Sequence, residues 1–309
     1  MDIAVVINQM IVLFVMLALG YTAGKTKILT RDGGMVLSRV IVTFAQPCLI
    51  LYSVIGGSIV ISGSDVVFYM LVVLVVYAVA LAVSIPASRL LYMGKNAPKA
   101  DRNIYCYMCI FANVAFMGFP VCYAIFGPES AFYVALFSVV FNLLNFSLGV
   151  YLISGKRDRF SIKPFINPPL IAALISIPIA ILGLSVPRVF VDITRLAGNM
   201  TVPGIMLVVG STLAHVSLKN LLMEWRLYPL ALLRLIVIPV LTWLVLRQFV
   251  TDDLIFGVLV VVSATPVAMA ATVLAFRYGG NERLVSTGTL ITTVLSVITI
   301  PLIVFLLLM

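Results

Sequence analysis

The chain has 309 residues, of which 63% are hydrophobic and only 10% are charged. Soluble domains are about 45–50% apolar and about 25% charged, so this composition excludes a water-soluble protein and indicates an integral membrane protein. The formal net charge is +9, but the basic residues lie in short clusters between apolar runs and form no continuous basic face, which argues against a nucleic-acid partner.

Ten apolar segments are each about as long as the ~20 residues with which a helix crosses a bilayer. They lie near residues 4–24, 34–56, 66–92, 103–126, 130–154, 168–185, 194–215, 227–248, 253–277 and 284–308. Turn signals such as Gly127-Pro128 and Gly279-Gly280 separate them. Segments of this length in lipid must be helical, so the sequence predicts an all-α integral membrane protein with ten transmembrane helices.

Lysine and arginine are distributed unevenly between the two ends of these segments. One side carries only Arg188, Arg195 and Arg247. The other side carries Lys25, Lys27, Arg31, Arg39, Arg89, Lys95, Lys99, Arg102, Lys156, Arg157, Arg159, Lys163, Lys219, Arg226, Arg277 and Arg283. Because cytoplasmic loops hold the excess of positive charge, we expect a multi-pass protein of the cell membrane with both termini extracytoplasmic.

The chain contains an internal repeat. The predicted halves are 1–155 and 168–309, joined by a short cytoplasmic linker at 156–167. A shift of 153 residues places Pro86 on Pro239, Asn113 on Pro266, Gly127 on Gly280 and Glu129 on Glu282. Each half has five segments, an odd number, so the second half must be inserted with the opposite orientation. Such inverted repeats are typical of secondary transporters.

The fourth and ninth segments carry helix-breaking residues near their middle. Gly118 and Pro120 lie in the fourth segment and Pro266 in the ninth. Proline removes a backbone donor and clashes with the preceding turn, so we expect breaks at these three residues. A half-helix that begins at a break presents unpaired N–H groups and a partial positive charge, and two of them facing each other would suit a carboxylate. Ordinary proline kinks are the alternative interpretation.

Residues around both breaks resemble the auxin efflux carrier family. The matching stretches are Ala112-Asn-Val-Ala-Phe-Met-Gly-Phe-Pro120, Ala264-Thr-Pro266, Leu284-Val-Ser-Thr-Gly288, Tyr21-Thr-Ala-Gly-Lys25 and the neighbourhood of Pro47. The resemblance covers essentially the whole chain, which looks like a bacterial member related to the plant auxin carriers. It implies a scaffold of helices 1, 2, 6 and 7 and a transport domain of helices 3–5 and 8–10. It also implies an elevator motion and a homodimer.

The resemblance further implies a small carboxylate substrate at the crossover of helices 4 and 9. Plant members carry proline where this chain has Ala112, and bacterial relatives are associated with malate and malonate, so auxin-like acids and dicarboxylates both stay open. The alternative is a sodium-coupled organic-anion symporter of the bile-acid transporter type, which shares the architecture. Membrane lipid is the other expected partner, and no cofactor is expected.

The candidate substrate-binding residues lie at the two breaks and on neighbouring helices. Asn113 matches an asparagine that contacts substrate in the family. Asn142 and Asn145 share one face of helix 5 and either border the pocket or join helix 5 to helix 4. Arg234 is the one charge inside an apolar segment, and three roles stay open for it. It is a counter-charge for the substrate, it pairs with other protein groups, or its side chain extends to the membrane interface. The full set is Gln46, Ala112, Asn113, Val114, Asn142, Asn145, Arg234, Thr265, Pro266 and Val267.

Neither an enzyme nor a metal site is expected. Cys106 and Cys109 have CxxC spacing, but no second such pair follows and His215 is the only histidine. The spans hold neither two aspartates nor a Ser–His pair for proteolysis. All eleven acidic residues fall in or near connections, so transport is not expected to depend on protonation of a protein carboxylate.

Overall fold

The computed structural model describes residues 3–57, 59, 61–91, 99–155, 167–215 and 225–309. Within these ranges the regular structure is helical, without strands, which confirms the predicted all-α class. The predicted linker 156–167 lies outside the described residues except for Asn167. The side chain of Asn167 caps the following helix by accepting the N–H of Leu170 at 3.0 Å.

The described chain forms twelve helices. Seven of them, those that begin at Ile3, Arg31, Gly63, Ser130, Arg188, Leu227 and Glu282, are long and apolar enough to cross a membrane. The helices are α1 (Ile3–Lys25), α2 (Arg31–Ile55), α3 (Gly63–Leu91), α4 (Lys99–Ile110), α5 (Val114–Phe126), α6 (Ser130–Ser154), α7 (Pro168–Leu182), α8 (Arg188–Ala214), α9 (Leu227–Leu246), α10 (Asp253–Ser263), α11 (Ala270–Tyr278) and α12 (Glu282–Leu307).

Four of these helices contain a wider, π-helical turn. The turns are Ile41–Ala45, Val114–Gly118, Asn145–Gly149 and Leu233–Val237. In three of them a proline follows six residues after the first residue of the turn: Pro47, Pro120 and Pro239. Proline clashes with the carbonyl four residues before it, which lies inside the π turn in each case, so the wider turn accommodates that carbonyl. Such turns frequently occur at functional sites.

The chain divides into two compact units. The first contains Met1–Leu71, Ala115–Val139 and Lys163–Val216, and the second contains Val72–Val114, Val140–Ile162 and Ser217–Met309. In the first unit, α1 packs along the Thr201–Ala214 part of α8. In the second unit, α12 packs closely against α4 and α9 because Gly288 has no side chain. A Cβ atom at this position would lie 2.7 Å from the sulfur of Met108 and 3.3 Å from a methyl group of Leu227.

The close packing of α1 on α8 depends on Gly20. A Cβ atom at this position would lie 2.5 Å from the carbonyl oxygen and 2.7 Å from the Cα of Leu207. We expect Gly20→Ala to lower the free energy of unfolding by about 1–3 kcal/mol, since backbone atoms must move apart. Thermal unfolding in detergent measures this. Gly57→Ala is the control, because its Cβ would meet nothing nearer than 3.7 Å; an equal loss in both variants would contradict the explanation.

Candidate functional site

Two helical paths are interrupted by non-helical stretches that both lie in the second unit. The helix α4 ends at Ile110 and α5 begins at Val114, which leaves Phe111, Ala112 and Asn113 outside regular helix. The helix α10 ends at Ser263 and α11 begins at Ala270, which leaves residues 264–269 outside regular helix. We call these two non-helical stretches, 111–113 and 264–269, the crossing.

The two stretches of the crossing pair with each other through their backbones. Ala112 and Val267 form an isolated antiparallel bridge. The N–H of Asn113 donates to the carbonyl of Pro266 at 2.8 Å, and the N–H of Ala268 donates to the carbonyl of Phe111 at 2.9 Å. The structure therefore brings Ala112, Asn113, Pro266 and Val267 of the predicted set into one place.

Several backbone N–H groups expected to be unpaired at the crossing have acceptors inside the protein. Besides the two bridge bonds, the N–H of Val114 donates to Ala112 at 3.0 Å. The N–H of Val267 donates to the hydroxyl of Thr292 at 3.2 Å. Further along, at the start of α11, the N–H of Ala271 donates to the carbonyl of Ala268 at 3.0 Å and the N–H of Thr272 donates to the carbonyl of Met269 at 3.2 Å. These backbone donors are therefore already paired within the protein.

The interruption in the fourth predicted helix lies before the residues expected to cause it. Gly118 closes the π turn and Pro120 lies in the first turn of the α-helix Phe119–Phe126. Pro120 is tolerated there because the preceding π turn accommodates the carbonyl of Phe116, with which the proline ring would otherwise clash. The chain leaves regular helix at 111–113 instead, where pairing with the other stretch supplies the missing hydrogen bonds. Pro266 lies within its interruption.

The predicted side chains at the crossing are buried. Asn113 is 3% exposed, and Ala112, Val114, Thr265 and Val267 are buried as well. The hydroxyl of Thr265 donates to the carbonyl of Val262 at 2.8 Å, so its oxygen keeps acceptor capacity only. A polar solute that binds here loses its hydrogen bonds to water and can replace them only with hydrogen bonds to these few groups. The loss of a single hydrogen bond at such a buried site therefore weakens the binding of a solute strongly.

Arg234 lies against the crossing and does not extend to the interface. Its side chain is 1% exposed. Its Nε donates to the carbonyl of Thr265 at 3.1 Å and its Nη1 donates to the carbonyl of Cys109 at 3.3 Å. Of the alternatives that the sequence left open, extension of the side chain to the membrane surface is therefore wrong, because the guanidinium is enclosed by protein.

Asn145 joins α6 to α4. Its Oδ1 accepts a hydrogen bond of 2.6 Å from the hydroxyl of Tyr107, and both residues are completely buried. Its Nδ2 has no partner among the described residues. Asn142, one turn earlier on α6, is half-buried. The geometry of Asn145 matches a contact between helices, although its amide nitrogen remains available as a buried donor.

Gln46 belongs to the first compact unit, whereas the crossing belongs to the second. It follows the π turn Ile41–Ala45 and is 1% exposed. Its Oε1 finds no donor among the described residues. A buried acceptor without a donor is costly unless water or a ligand supplies one. Gln46 therefore stays a candidate substrate-binding residue, independently of the crossing.

The buried charge in the described part of the chain is positive. Arg234 is the one charged side chain among its buried polar residues, which include no aspartate or glutamate. Within the same residues no group of three or more His, Cys, Asp and Glu side chains could hold a metal ion. The chemistry at the crossing thus consists of backbone groups, amide and hydroxyl side chains and one guanidinium.

Two residues at this site were missed from the sequence. Thr292 accepts the N–H of Val267, and Tyr107 donates to Asn145. Thr292 follows the motif residue Gly288 by four positions and therefore lies on the same face of α12. That spacing was the one available signal, and α12 has too many threonines and serines for it to be specific.

Comparison with known proteins shows the family of this chain. A family model described as membrane transport protein matches residues 5–304. The chain belongs to this family. The resemblance to the auxin efflux carrier family is thereby confirmed, and the chain is a multi-pass membrane protein of a transporter family.

Two archaeal relatives match over nearly their full length. The chain is 26% identical to an uncharacterized transporter of Methanocaldococcus jannaschii over 308 residues, which cover 96% of each chain. It is also 26% identical to an uncharacterized transporter of Methanothermobacter thermautotrophicus over 295 residues, which cover 93% of this chain and 94% of the relative. These names support membrane transport and specify no substrate.

Proposed function

We propose that this protein carries small organic anions across the cell membrane and binds their carboxylate at the crossing. The observation that carries the proposal is the backbone pairing of two interrupted helical paths, through the hydrogen bond from Asn113 to Pro266. Discontinuous helices that meet within the membrane form the substrate sites of many secondary transporters. Auxin-like acids, malate and malonate are the substrate classes to test first.

The charge at the crossing supports an anionic substrate. The buried charge beside it is the guanidinium of Arg234, and the described residues include no buried carboxylate. The start of α11 adds the partial positive charge of a helix N-terminus. A cationic substrate would meet repulsion from both groups, whereas a carboxylate would be attracted.

We further propose ten spans in two inverted repeats. Counting α4 with α5 and α10 with α11 as interrupted spans gives ten in all. The scaffold and transport domain, the elevator mechanism of alternating access and the homodimer follow from the family resemblance. The cell-membrane location with both termini outside the cytoplasm follows from the distribution of lysine and arginine.

Binding to purified protein tests the proposal. We expect indole-3-acetate, malate or malonate to bind in calorimetric titration, and the neutral amide of the acid that binds to bind at least tenfold more weakly. Uptake of the same labelled acid into proteoliposomes should follow, with sodium and with choline alike. Absence of binding and uptake for every acid would contradict the proposal, and a strict requirement for sodium would favour the symporter alternative.

A further inference from the structure

Arg234 is a buried charge without a carboxylate partner in the described part of the chain. It is 1% exposed, and the one ion pair among the described residues joins Arg195 to Asp192 at the surface. A charge inside a membrane protein is expensive, and such residues face partners or functional cavities. The partners of Arg234 must therefore be dipoles of the protein.

Those dipoles belong to the two helices that end at the crossing. Cys109 is the last residue but one of α4, and Thr265 follows the end of α10 by two residues. Carbonyls at the C-terminal end of a helix carry a partial negative charge, equivalent to roughly half an elementary charge per helix. The two ends therefore stabilise the buried guanidinium where it has no carboxylate partner among the described residues, and the guanidinium keeps its positive charge.

The bonding requires the planar fork of arginine. Nε reaches Thr265 and Nη1 reaches Cys109, so two donors of one rigid group connect both helix ends. A lysine in this place would keep the charge, but its single nitrogen lies on a flexible stem and could not hold both carbonyls in the same geometry. Arg234 thus connects the ends of α4 and α10 beside the crossing.

The third nitrogen of the guanidinium is left over. Nη2 is buried and has no hydrogen-bond partner among the described residues. Because this atom is enclosed by protein, a solute does not touch it in this structure. Its charge nevertheless reaches the crossing, since electrostatic interactions weaken slowly with distance in a medium of low dielectric constant.

We propose that Arg234 is a positioning and charge-selecting residue: it holds the two helix ends together and supplies the field by which the crossing prefers an anion to a neutral solute of the same shape. The inference rests on the proposed function, because it presumes that the crossing binds the solute. It predicts two separable effects. The positive charge of Arg234 determines the preference for an anion over a neutral solute, and the planar guanidinium, by holding the two helix ends, determines the affinity for both solutes.

The test compares an acid with its own amide in three variants. The probes are indole-3-acetate with indole-3-acetamide, or malonate with malonamide, whichever acid binds the wild-type protein. In Arg234→Gln, we expect the ratio of acid to amide affinity to fall by about 10- to 50-fold, as for one charge at about 7–10 Å in an effective dielectric of about 20. In Arg234→Lys, both affinities should fall together and the ratio should stay within about twofold.

A matched control lies at the beginning of the same helix. Arg226 precedes α9 and is half-buried beside Trp225. Arg226→Gln removes the same charge from the protein, but eight residues away from Arg234, so the ratio of acid to amide affinity should be unchanged. Equal effects in Arg226→Gln and Arg234→Gln would show that net charge, and not the position of Arg234, sets the preference.

The wild-type protein provides a test that does not depend on whether the variants fold. A buried charge is screened little by salt, whereas surface charges are largely screened within a Debye length of ~10 Å at 0.1 M. The preference for acid over amide should therefore persist from low to high ionic strength. A preference that salt removes, or one that survives in folded Arg234→Gln, overturns the inference while the proposed function stands; absence of acid binding to the wild type contradicts the proposed function itself.

Discussion

Replacing Asn113 by alanine is expected to weaken carboxylate binding by about 10- to 150-fold while the protein stays folded. A hydrogen bond to a charged group contributes about 1.5–3 kcal/mol, and every 1.4 kcal/mol corresponds to a factor of ten. The fold should persist because the bond between the two stretches of the crossing uses the backbone N–H of Asn113, which alanine retains. Calorimetric titration with the acid that binds the wild type measures the effect.

Two measurements separate a binding role for Asn113 from a structural one. The midpoint of thermal unfolding should change little in Asn113→Ala. Asn199→Ala removes the same amide from an exposed position at the end of Arg188–Gly198, and its affinity should stay within about twofold of the wild type. Unchanged affinity in Asn113→Ala would remove the carboxylate site from this part of the chain.

The interruptions could be placed approximately from the sequence, but not to the residue. Pro120 and Pro266 mark both regions because proline within an apolar segment is the usual signal of a disturbed helix. Phe111 and Ala112 carry no such signal, since neither residue breaks a helix by itself. Their extended conformation depends on pairing with Val267 and Ala268, more than 150 residues later in the chain, and local propensity does not encode a partner at that distance.

Arg234 shows a similar limit. Its position within an apolar segment was sufficient to mark it as unusual. Its partners are carbonyls, separated from it by 31 and 125 residues along the chain. Every residue has a carbonyl, so the sequence contains no pattern that distinguishes these two. Of the hydrogen-bonded pair Tyr107 and Asn145, the sequence indicated only one member. An asparagine is unusual in an apolar helix, whereas a tyrosine is not.

The family and the all-helical class followed from the sequence because they depend on features that local patterns carry. Hydrophobic length, breaker residues and short motifs are all readable without tertiary contacts. The crossing itself depends on where two distant stretches meet, and on Thr292 of a third helix, which accepts the N–H of Val267.

Thr292→Val is expected to lower the free energy of unfolding by about 1–3 kcal/mol and to weaken carboxylate binding by about tenfold. The hydroxyl of Thr292 donates to the carbonyl of Gly288 at 2.8 Å and accepts the N–H of Val267 at 3.2 Å. Valine keeps the shape but leaves the N–H of Val267, a completely buried residue, without an acceptor, and a buried donor without a partner costs about that much. Thermal unfolding and titration of the same preparation measure both effects.

Two further variants distinguish loss of the acceptor from a general effect of valine in α12. Thr292→Ser keeps the hydroxyl and should restore most of the stability and binding. Thr293→Val changes the neighbouring residue, whose hydroxyl donates to the carbonyl of Thr289 within the same helix at 2.7 Å, so it should cost less than about 1 kcal/mol. If Thr293→Val weakened binding as much as Thr292→Val, or if serine failed to restore it, the hydroxyl of Thr292 would not be what keeps Val267 in place. With serine active and valine impaired, the shape of the crossing is fixed from α12 as well as by the bridge between its two stretches.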